Sequence, residues 1–332
     1  MCSTKARIVA TGAYLPSKIL TNCDLEQMVE TSDEWITTRT GIKERRIAHN
    51  EEFTSDMGLK AAQEAIEKSG LSPEKIDLII LATHTPDHFF PSTACMIQKE
   101  LGAVNAAGFD IQAACSGYLY GLSTAKSFIE SGAYKNILLV ASEKLSSIID
   151  YEDRNTCVLF GDGASAAIIS HEGAGLQIPH ICLGSDGQQE DLIKLPAGGC
   201  RKVASRESIE SREHFLRMEG REVFKHAVRR MEQAANECLE HEGLTDSDVN
   251  WLISHQANIR IIDAMAKRFS IPADRVYKTV HKYGNTSSSS VGIALHELLQ
   301  DGAVNEGDRL LLVAFGAGLT WGAALLEKRS NG

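Results

Sequence analysis

The stretch LKAAQEAIEKSGLSPEKID at residues 59–77 is matched later in the chain by EQAANECLEHEGLTDSDVN at residues 232–250. Both stretches read as an amphipathic helix followed by Gly-Leu, a polar turn and an acidic or amide residue. An apolar run follows each of them, LIILAT from Leu78 and LISHQA from Leu252. This match indicates that the chain contains an internal repeat.

A second pair of apolar runs extends the match. NILLVAS begins at Asn136 and RLLLVAF at Arg309, each 59 positions after the end of its helix-and-turn stretch. One offset of 173 residues therefore aligns the helix, the turn and both apolar runs. Four features in register predict two structurally similar halves.

Strands that alternate with helices of ten or more residues predict an α/β fold with mostly parallel sheets covered by helices. The fully apolar runs are typical of strands buried on both faces. We expect the first half at residues 1–173 and the second at 174–332, joined near 170–180 and packed as one compact body. The Gly-, Ser- and charge-rich segment 184–213 is the expected long insertion.

The composition excludes several classes of protein. Of 332 residues, 44 are acidic and 34 are Lys or Arg, which gives a formal net charge of −10. This charge disfavours general binding to nucleic acid or to anionic membranes. No apolar run reaches the ~20 residues that span a bilayer, and Gly12 and Pro16 interrupt the short N-terminal apolar stretch, unlike a signal peptide. We expect a cytoplasmic protein.

The cysteines and histidines show no metal-binding or disulfide pattern. No CxxC pair occurs, and the eleven histidines form neither HExxH nor HxH. We therefore expect reduced thiols and no metal. The eight cysteines are Cys2, Cys23, Cys95, Cys115, Cys157, Cys182, Cys200 and Cys238.

Cys115 is the first candidate for chemistry. It lies in FDIQAACSGYLYGLS, which reads as a strand, a tight turn and a helix. The N-terminus of a helix favours the thiolate form of a cysteine and so its action as a nucleophile. Most intracellular cysteines are small buried apolar residues instead. The small neighbours of Cys115 suggest that another group approaches it closely.

The second half supplies possible partners for this thiol. His255 directly follows the apolar run WLIS, and Asn285 begins the polar segment NTSSSS before a helix. A histidine at a strand end is more often structural than catalytic, and small polar residues before a helix are by default N-cap and turn residues. The Gly-rich turn FGAGLTWG at 315–322 lacks the spacing and the βαβ context of a dinucleotide site. Backbone N–H groups that stabilise an oxyanion are the better use of its glycines.

Taken together, these segments resemble the β-ketoacyl-[acyl-carrier-protein] synthase III family of thiolase-like condensing enzymes. The resemblance covers essentially the whole chain, in the order of the family. The motifs that carry it are TSDEWITTRTGIKERR (Thr31–Arg46), AACSG around Cys115, FGDGA (Phe160–Ala164), HQAN from His255, GNTS around Asn285 and AFGAGLTWG.

The resemblance implies a thiolase-like fold, in which two duplicated βαβαβαβαββ halves form five layers, αβαβα. It also implies the initiating condensation of type II fatty-acid synthesis. An acyl-CoA, with acetyl-CoA the first candidate, acylates Cys115. Malonyl-acyl-carrier protein then loses CO2 and condenses with the acyl group, a covalent route that divides one hard step into two easier ones.

The same resemblance assigns roles in the active site. His255 and Asn285 donate hydrogen bonds to the enolate, and the N–H groups of Cys115 and Ala317 form the oxyanion hole. No metal or other cofactor is implied, since acyl-CoA is a substrate. The family often has three glycines where this chain has Gly316-Ala317-Gly318. Alanine keeps its N–H, so the hole survives if φ at Ala317 is negative.

The resemblance also implies residues of the acyl pocket and of the CoA-binding site, by motif only. Phe90 and Phe160 match walls of the acyl pocket, and the family inserts Phe90 from a partner subunit, which implies a homodimer. Trp35 could stack on adenine and the arginines could meet phosphate. The expected CoA-binding residues are Trp35, Arg39, Arg154, Gly220, Phe224, Ala257, Asn258 and Ile261.

The acidic carrier protein requires a local cationic surface on this acidic enzyme. Two predicted helices each place basic residues on one face, and the second helix follows His255 directly. A solvated helix face is the alternative for any single charge. The expected docking residues are Lys225, Arg229, Arg260, Lys267 and Arg268.

Three alternatives remain open. One is a condensing enzyme that uses CoA thioesters on both sides, such as a thiolase, a hydroxymethylglutaryl-CoA synthase or a polyketide synthase. A thiolase would have a second catalytic cysteine near the C-terminal Gly-rich loop, and AFGAGLTWG has none. The second is a Cys–His–Asn hydrolase. The third is a non-catalytic acyl-CoA-binding paralogue, which the intact Cys115, His255 and Asn285 disfavour.

Overall fold

The structure is a computed structural model and describes residues 5–330. Its strands are β1 (Arg7–Tyr14), β2 (Lys18–Thr21), β3 (Glu44–Ile47), β4 (Leu78–Ala82), β5 (Ala107–Ile111), β6 (Asn136–Glu143), β7 (Gly163–Ser170), β8 (Gly175–Ser185), β9 (Ile193–Lys194), β10 (Arg217–Met218), β11 (Trp251–Ser254), β12 (Arg309–Gly316) and β13 (Thr320–Arg329).

The helices alternate with these strands in both halves of the chain. They are α1 (Asn22–Glu26), α2 (Asp33–Thr40), α3 (Thr54–Ser69), α4 (Thr93–Leu101), α5 (Gly117–Glu130), α6 (Arg206–Glu210), α7 (Gly220–His241), α8 (Ile259–Arg268), α9 (Val280–Tyr283) and α10 (Ser290–Gln300). None of the helices in the described part of the chain has the length and apolar character needed to cross a membrane.

Nine strands form one sheet in the order β11-β12-β13-β8-β1-β7-β6-β4-β5. β4 is parallel to β5 and β6, and β11 is parallel to β12. The other five pairings of this sheet are antiparallel. The expectation of mostly parallel sheets is therefore wrong. Neither the β6–β7 nor the β12–β13 connection contains an α-helix, so the chain returns in the opposite direction at both places.

The predicted duplication is present in the fold. The offset of 173 carries the start of β6 at Asn136 onto β12 at Arg309, and the start of α5 at Gly117 onto α10 at Ser290. It also aligns two non-glycine residues that have positive φ, Ala114 at 45° and Ser287 at 52°. The left-handed backbone conformation costs about 1–2 kcal/mol per residue. Here it occurs in corresponding turns that precede corresponding helices.

Strand patterning explains the layers. Along β12, Leu310 and Leu312 face the core that contains α5 and α10, whereas Leu311 and Val313 face the core beneath α7 and α8. In the first half, α3 and α4 cover the outer face of β4 and β6, whose inner face again meets α5. Because successive side chains of a strand alternate between faces, both faces must be apolar. The predicted αβαβα layering is confirmed.

Each half has fewer units than the expected βαβαβαβαββ. The first half contributes β1, β4, β5, β6 and β7 to the large sheet with three crossover helices, α3, α4 and α5. In the second half, a single bridge between Leu252 and Val276 takes the place of β5. The short pairs β2–β3 and β9–β10 lie outside the repeat.

Two insertions distinguish the halves. Residues 186–219 follow β8 and contain β9, α6 and β10, close to the expected 184–213. The second insertion is the segment 144–162 between β6 and β7, which the sequence did not indicate. At the corresponding place in the second half, only residues 317–319 separate β12 from β13.

We propose to divide the halves after residue 173, in the turn between β7 and β8.

Candidate active site

Cys115 lies in a tight turn between β5 and the N-terminus of α5, as the sequence predicted. Gly316, the last residue of β12, packs directly against it. A Cβ added at Gly316 would lie 2.6 Å from the Cys115 nitrogen and 3.2 Å from its Cα. Contacts below 3.0 Å are essentially never seen, so the glycine is required by this close approach.

The thiol of Cys115 lies in a desolvated environment. Burial raises its pKa to about 12, and the negative charge of Glu143 acts in the same direction. The Ser287 hydroxyl donates a hydrogen bond to Sγ at 3.2 Å, which opposes these effects. The helix N-terminus was expected to favour the thiolate, but the structure adds burial, which favours the neutral thiol at rest.

His255 follows β11 directly, and its backbone N–H donates to the Val313 carbonyl at 2.7 Å. Its Nδ1 lies 2.6 Å from the Ser290 Oγ. The Gln256 N–H donates to the same Oγ at 3.4 Å. Within residues 5–330, Nδ1 is the only acceptor in reach of the Ser290 hydroxyl. We propose that the hydroxyl donates to Nδ1, which leaves the proton of the neutral ring on Nε2.

The charge of His255 follows from its burial. The residue is 4% exposed, and burial lowers the pKa of its imidazole to about 3. A group with so low a pKa is neutral at pH 7. The structure therefore presents His255 as a neutral hydrogen-bond donor through Nε2.

Asn285 is fixed by both its backbone and its side chain. Its backbone pairs with the inserted segment 144–162, donating to the Leu159 carbonyl at 2.8 Å and accepting from the Gly161 N–H at 3.0 Å. Its Oδ1 accepts the Ser287 N–H at 2.8 Å. This turn leaves the Nδ2 group free to donate, since Nδ2 has no acceptor within residues 5–330.

The turn between β12 and β13 adds a backbone donor. Ala317 is absent from the non-glycine residues of positive φ, so alanine fits where the family often has glycine. Its N–H has no acceptor within the part of the chain that the structure describes. The Thr320 hydroxyl lies 3.0 Å from the Ala317 carbonyl and 2.9 Å from that of Ala113, which ties this turn to the Cys115 turn.

One cavity of about 1050 Å³ joins these groups. Of the residues expected from the sequence, the structure places eight on its wall: Cys115, His255, Asn285, Ala317, Phe90, Phe160, Ala257 and Ile261. Phe160 is buried, whereas Phe90 is 86% exposed. Trp35, Arg39, Arg154, Gly220, Phe224 and Asn258 do not line it.

The expected adenine-binding residues cluster on α2 and the inserted segment 144–162. The guanidinium carbon of Arg39 lies 4.4 Å from the centroid of the Trp35 ring, and that of Arg154 lies 5.2 Å from it. Arg154 also donates to the Glu30 carbonyl at 2.8 Å. Both arginines therefore contact the Trp35 ring.

The remaining expected CoA residues lie at helix N-termini. Gly220 begins α7, and Phe224 lies one turn later with its ring 5.9 Å from the Arg260 guanidinium carbon. The Asn258 side chain caps α8 by accepting the Arg260 N–H at 2.8 Å. Ordinary helix capping accounts for this position of Asn258.

All five expected docking residues are exposed on α7 and α8. Lys225 pairs with Glu222 at 2.7 Å, and Arg268 pairs with Glu232 at 3.0 Å. Within residues 5–330, no carboxylate lies within ion-pair distance of the other three, which are Arg229, Arg260 and Lys267.

Sequence reasoning missed a buried network beside the nucleophile. Glu143, the last residue of β6, is fully buried and lies 2.7 Å from His84 Nδ1. The Ser288 hydroxyl donates to its Oε1 at 2.7 Å, and the Thr85 hydroxyl donates to its Oε2 at 2.6 Å. Under the offset of 173, Ser288 is the counterpart of Cys115.

The separate roles of the serines in NTSSSS were also not predicted from the sequence. Ser287 contacts the Cys115 thiol and Ser290 contacts the His255 ring, but the sequence offered only a polar run before a helix. The internal repeat was the available signal, because the offset places Ser287–Ser289 on the Ala114–Ser116 turn that carries the nucleophile.

The seven described cysteines are free thiols. Cys2 lies outside the described residues. Cys157, Cys182 and Cys238 are buried, whereas Cys23, Cys95 and Cys200 are exposed. Of these seven, only Cys115 lines the cavity.

Comparison with known proteins supplies the family. The profile of 3-oxoacyl-[acyl-carrier-protein] synthase III matches residues 109–187, and that of its C-terminal region matches residues 239–328. A β-ketoacyl-[acyl-carrier-protein] synthase III of Chlamydia caviae is 59% identical over 325 residues, 98% of this chain and 97% of the relative. One of Caldanaerobacter subterraneus is 54% identical and covers 97% of both chains.

A solved structure agrees with these relatives. The crystal structure of 3-oxoacyl-[acyl-carrier-protein] synthase III from Aquifex aeolicus superposes with a TM-score of 0.90 at 50% identity, covering 97% of this chain and 99% of that chain. The family resemblance and the thiolase-like fold expected from the sequence are both confirmed. The chain belongs to the β-ketoacyl-[acyl-carrier-protein] synthase III family.

Proposed function

We propose that this enzyme starts fatty-acid synthesis by joining an acyl group from acyl-CoA to a malonyl unit on the acyl-carrier protein. The observation that carries the proposal is the single cavity whose wall contains the Cys115 thiol, His255, Asn285 and the Ala317 turn. A nucleophile, two neutral donors and a free backbone N–H are the groups that the two chemical steps need.

In the first step, the Cys115 sulfur attacks the thioester carbonyl of acyl-CoA. A new S–C bond forms, the bond to the CoA sulfur breaks, and the thiol proton leaves with CoA. The N–H groups of Cys115 and Ala317 stabilise the oxyanion of the tetrahedral intermediate. The loss of one such donor costs about 10²- to 10³-fold in rate in comparable sites.

In the second step, malonyl-acyl-carrier protein loses CO2. The electrons of the broken C–C bond form an enolate, whose oxygen accepts hydrogen bonds from His255 Nε2 and Asn285 Nδ2. The enolate carbon attacks the acyl carbonyl on Cys115, and the thiolate leaves. A neutral imidazole suits this role because it donates without having to give up its proton. The substrates bring all reacting atoms, so the route requires no other cofactor.

Substrate binding extends from the cavity to its surroundings. Trp35 offers a flat face for adenine, and Arg39 and Arg154 offer charge for phosphate. The strongly exposed Phe90 suits insertion into a second subunit, which supports a homodimer with an acyl pocket shared between Phe90 and Phe160.

The carrier protein docks on α7 and α8. The exposed cations Arg229, Arg260 and Lys267 suit the acidic surface of an acyl-carrier protein, although the enzyme carries a net charge of −10. The absence of a membrane-spanning helix in the described residues is compatible with a cytoplasmic location.

Product analysis tests the function. The enzyme is incubated with acetyl-CoA and either malonyl-acyl-carrier protein or malonyl-CoA, and the products are identified by mass spectrometry. We expect β-ketoacyl-carrier protein, CO2 and CoA from the carrier substrate. Equal or faster condensation with malonyl-CoA would favour an enzyme that uses CoA on both sides. Release of free acid without condensation would indicate a hydrolase.

A further inference from the structure

A second group of chemically active side chains lies outside the catalytic cavity, where α7 ends against β8. His180 lies in the middle of β8, His241 is the last residue of α7, and Glu242 caps that helix. The two imidazole rings are stacked, with centroids 3.6 Å apart and planes 13° apart. His241 Nδ1 lies 3.1 Å from Glu242 Oε1.

The donor atoms of this group are close enough to share one ion. One nitrogen of each histidine and one oxygen of Glu242 all lie within 4.8 Å of one another. Strand pairing with Leu325 holds the backbone of His180, whereas His241 and Glu242 are exposed and can rotate. Because a metal binds an imidazole in the plane of the ring, the exposed His241 side chain has to rotate out of the stacked arrangement to bring three ligands around a cation.

The donor types select the class of ion. Two imidazoles and one carboxylate suit divalent zinc and its neighbours among the transition metals, whereas calcium and magnesium prefer oxygen ligands. The neutral imidazole is the form that binds such an ion.

We propose that His180, His241 and Glu242 form a binding site for a divalent transition-metal ion of the zinc type, with water as the fourth ligand. The site connects β8 to the C-terminal end of α7. An ion held by both elements stabilises the folded protein, since the unfolded chain separates the ligands by 61 positions. This inference does not depend on the proposed function.

The surroundings support a site made of these three ligands. Cys238 lies one turn before His241, and its Sγ contacts the His180 carbonyl at 3.6 Å. The Cys238 thiol is occupied by this backbone carbonyl, and the three groups whose donor atoms lie within 4.8 Å of one another are His180, His241 and Glu242.

A zinc titration against a chromophoric chelator tests the site in the full-length, metal-free enzyme. The wild type is compared with His180→Asn, His241→Asn and the control His171→Asn. His171 also lies beside a carboxylate, 3.3 Å from Glu172, but belongs to no such three-ligand group within residues 5–330. Zinc bound by thiols such as Cys115 contributes equally to all four proteins.

We expect the wild type and His171→Asn to bind one equivalent more than His180→Asn and His241→Asn. That equivalent raises the melting temperature only in the first two proteins. Glu242→Gln removes the carboxylate ligand, and we expect the equivalent to bind more weakly through the two imidazoles. The same stoichiometry and affinity in all four proteins would overturn the proposal. His241→Asn decides the matter if His180→Asn does not fold, since His241 is exposed.

Discussion

A single hydroxyl group sets the tautomer of His255. Ser290 Oγ lies 2.6 Å from Nδ1 of the imidazole and accepts the Gln256 N–H, and we propose that its hydrogen points to Nδ1. The proton of the neutral ring is thereby kept on Nε2. Without this bond, the proton is free to occupy Nδ1, and the donor for the enolate is lost.

Ser290→Ala therefore impairs condensation and spares acylation. We expect the rate of product formation from malonyl-carrier to fall about 10- to 10²-fold, somewhat less than the loss of a whole oxyanion donor. The matched control is Ser289→Ala, whose buried hydroxyl bonds to the Thr286 carbonyl instead. Steady-state kinetics and acylation measured by mass spectrometry separate the two steps. Equal rates in the two variants would contradict the tautomer argument.

The neutral state of His255 is directly measurable. Burial lowers the pKa of its imidazole from 6.5 to about 3, so the ring gains its proton only well below pH 5. We expect its ¹⁵N chemical shifts to stay constant from pH 8 to pH 5, with the larger shift on the nitrogen that accepts from Ser290. A titration midpoint near 6.5 would show that this environment is not as desolvated as the structure indicates.

The three main site residues could be singled out from the sequence because each follows or precedes an identifiable element, and the family resemblance supplied their expected roles. Cys115 precedes a helix, His255 follows a buried strand and Asn285 begins a helix-capping run. Ser290 could not be separated from its neighbouring serines, since all of them have the composition of a turn. Its role depends on which residue faces His255 across the fold.

At the scale of the elements, Glu143 joins three separate pieces of the chain. It ends β6, bonds to the segment 83–85 after β4, and accepts the Ser288 hydroxyl from the turn before α10. Burial acts against its charge, but His84 reverses this and keeps the pKa of the carboxyl below its usual value. The same pairing outweighs burial at His84 and raises the pKa of its imidazole.

Glu143→Ala should destabilise the fold strongly. The variant leaves a buried imidazole and several donors without their acceptor, and such a loss typically costs about 3–5 kcal/mol of unfolding free energy. Urea unfolding measures it, with Glu130→Ala as the control. Glu130 forms a partly exposed pair with Lys126 on α5, and we expect its removal to cost less than about 1 kcal/mol. Similar losses in both variants would contradict the network.

The pH dependence of this effect has a definite sign. The stabilisation by Glu143 is complete above the usual carboxyl pKa of 4.5 and is lost as the pH falls through its lowered value. The stabilisation by His84 is complete below 6.5 and is lost as the pH rises through its raised value. The difference between the wild type and Glu143→Ala is therefore largest between these limits.

The repeat predicted the elements better than it predicted their pairing. The offset of 173 located β6, β12, α5 and α10, because buried strands and amphipathic helices leave a local signal. The antiparallel strands β7 and β13 and the segment 144–162 leave no such signal. Their place depends on long-range pairing, which a local pattern does not encode.

At the scale of the whole molecule, an acidic enzyme must bind an acidic carrier protein. We propose that the exposed cations on α7 and α8 provide the local attraction that the net charge of −10 opposes. Arg229 on α7 and Lys267 on α8 have no ion-pair partner within the described residues, so a carrier does not have to displace one.

Arg229→Glu and Lys267→Glu should each weaken carrier docking. We expect KM for malonyl-acyl-carrier protein to rise about two- to fivefold for each change, with less effect at high salt because salt screens exposed charges. Acylation by acyl-CoA should not change. The control is Lys99→Glu on α4, an exposed lysine in the outer layer of the first half. An equal rise in KM for the control would place docking elsewhere.

The account depends most on Cys115 as the nucleophile, and intact-protein mass spectrometry tests this directly. The enzyme is mixed with acetyl-CoA and with longer and branched acyl-CoAs, without malonyl-carrier. We predict a single acyl adduct that is absent from Cys115→Ala, with the most reactive acyl-CoA identifying the primer. An adduct that persists in Cys115→Ala, or a wild-type enzyme that no acyl-CoA modifies, would contradict the proposed mechanism.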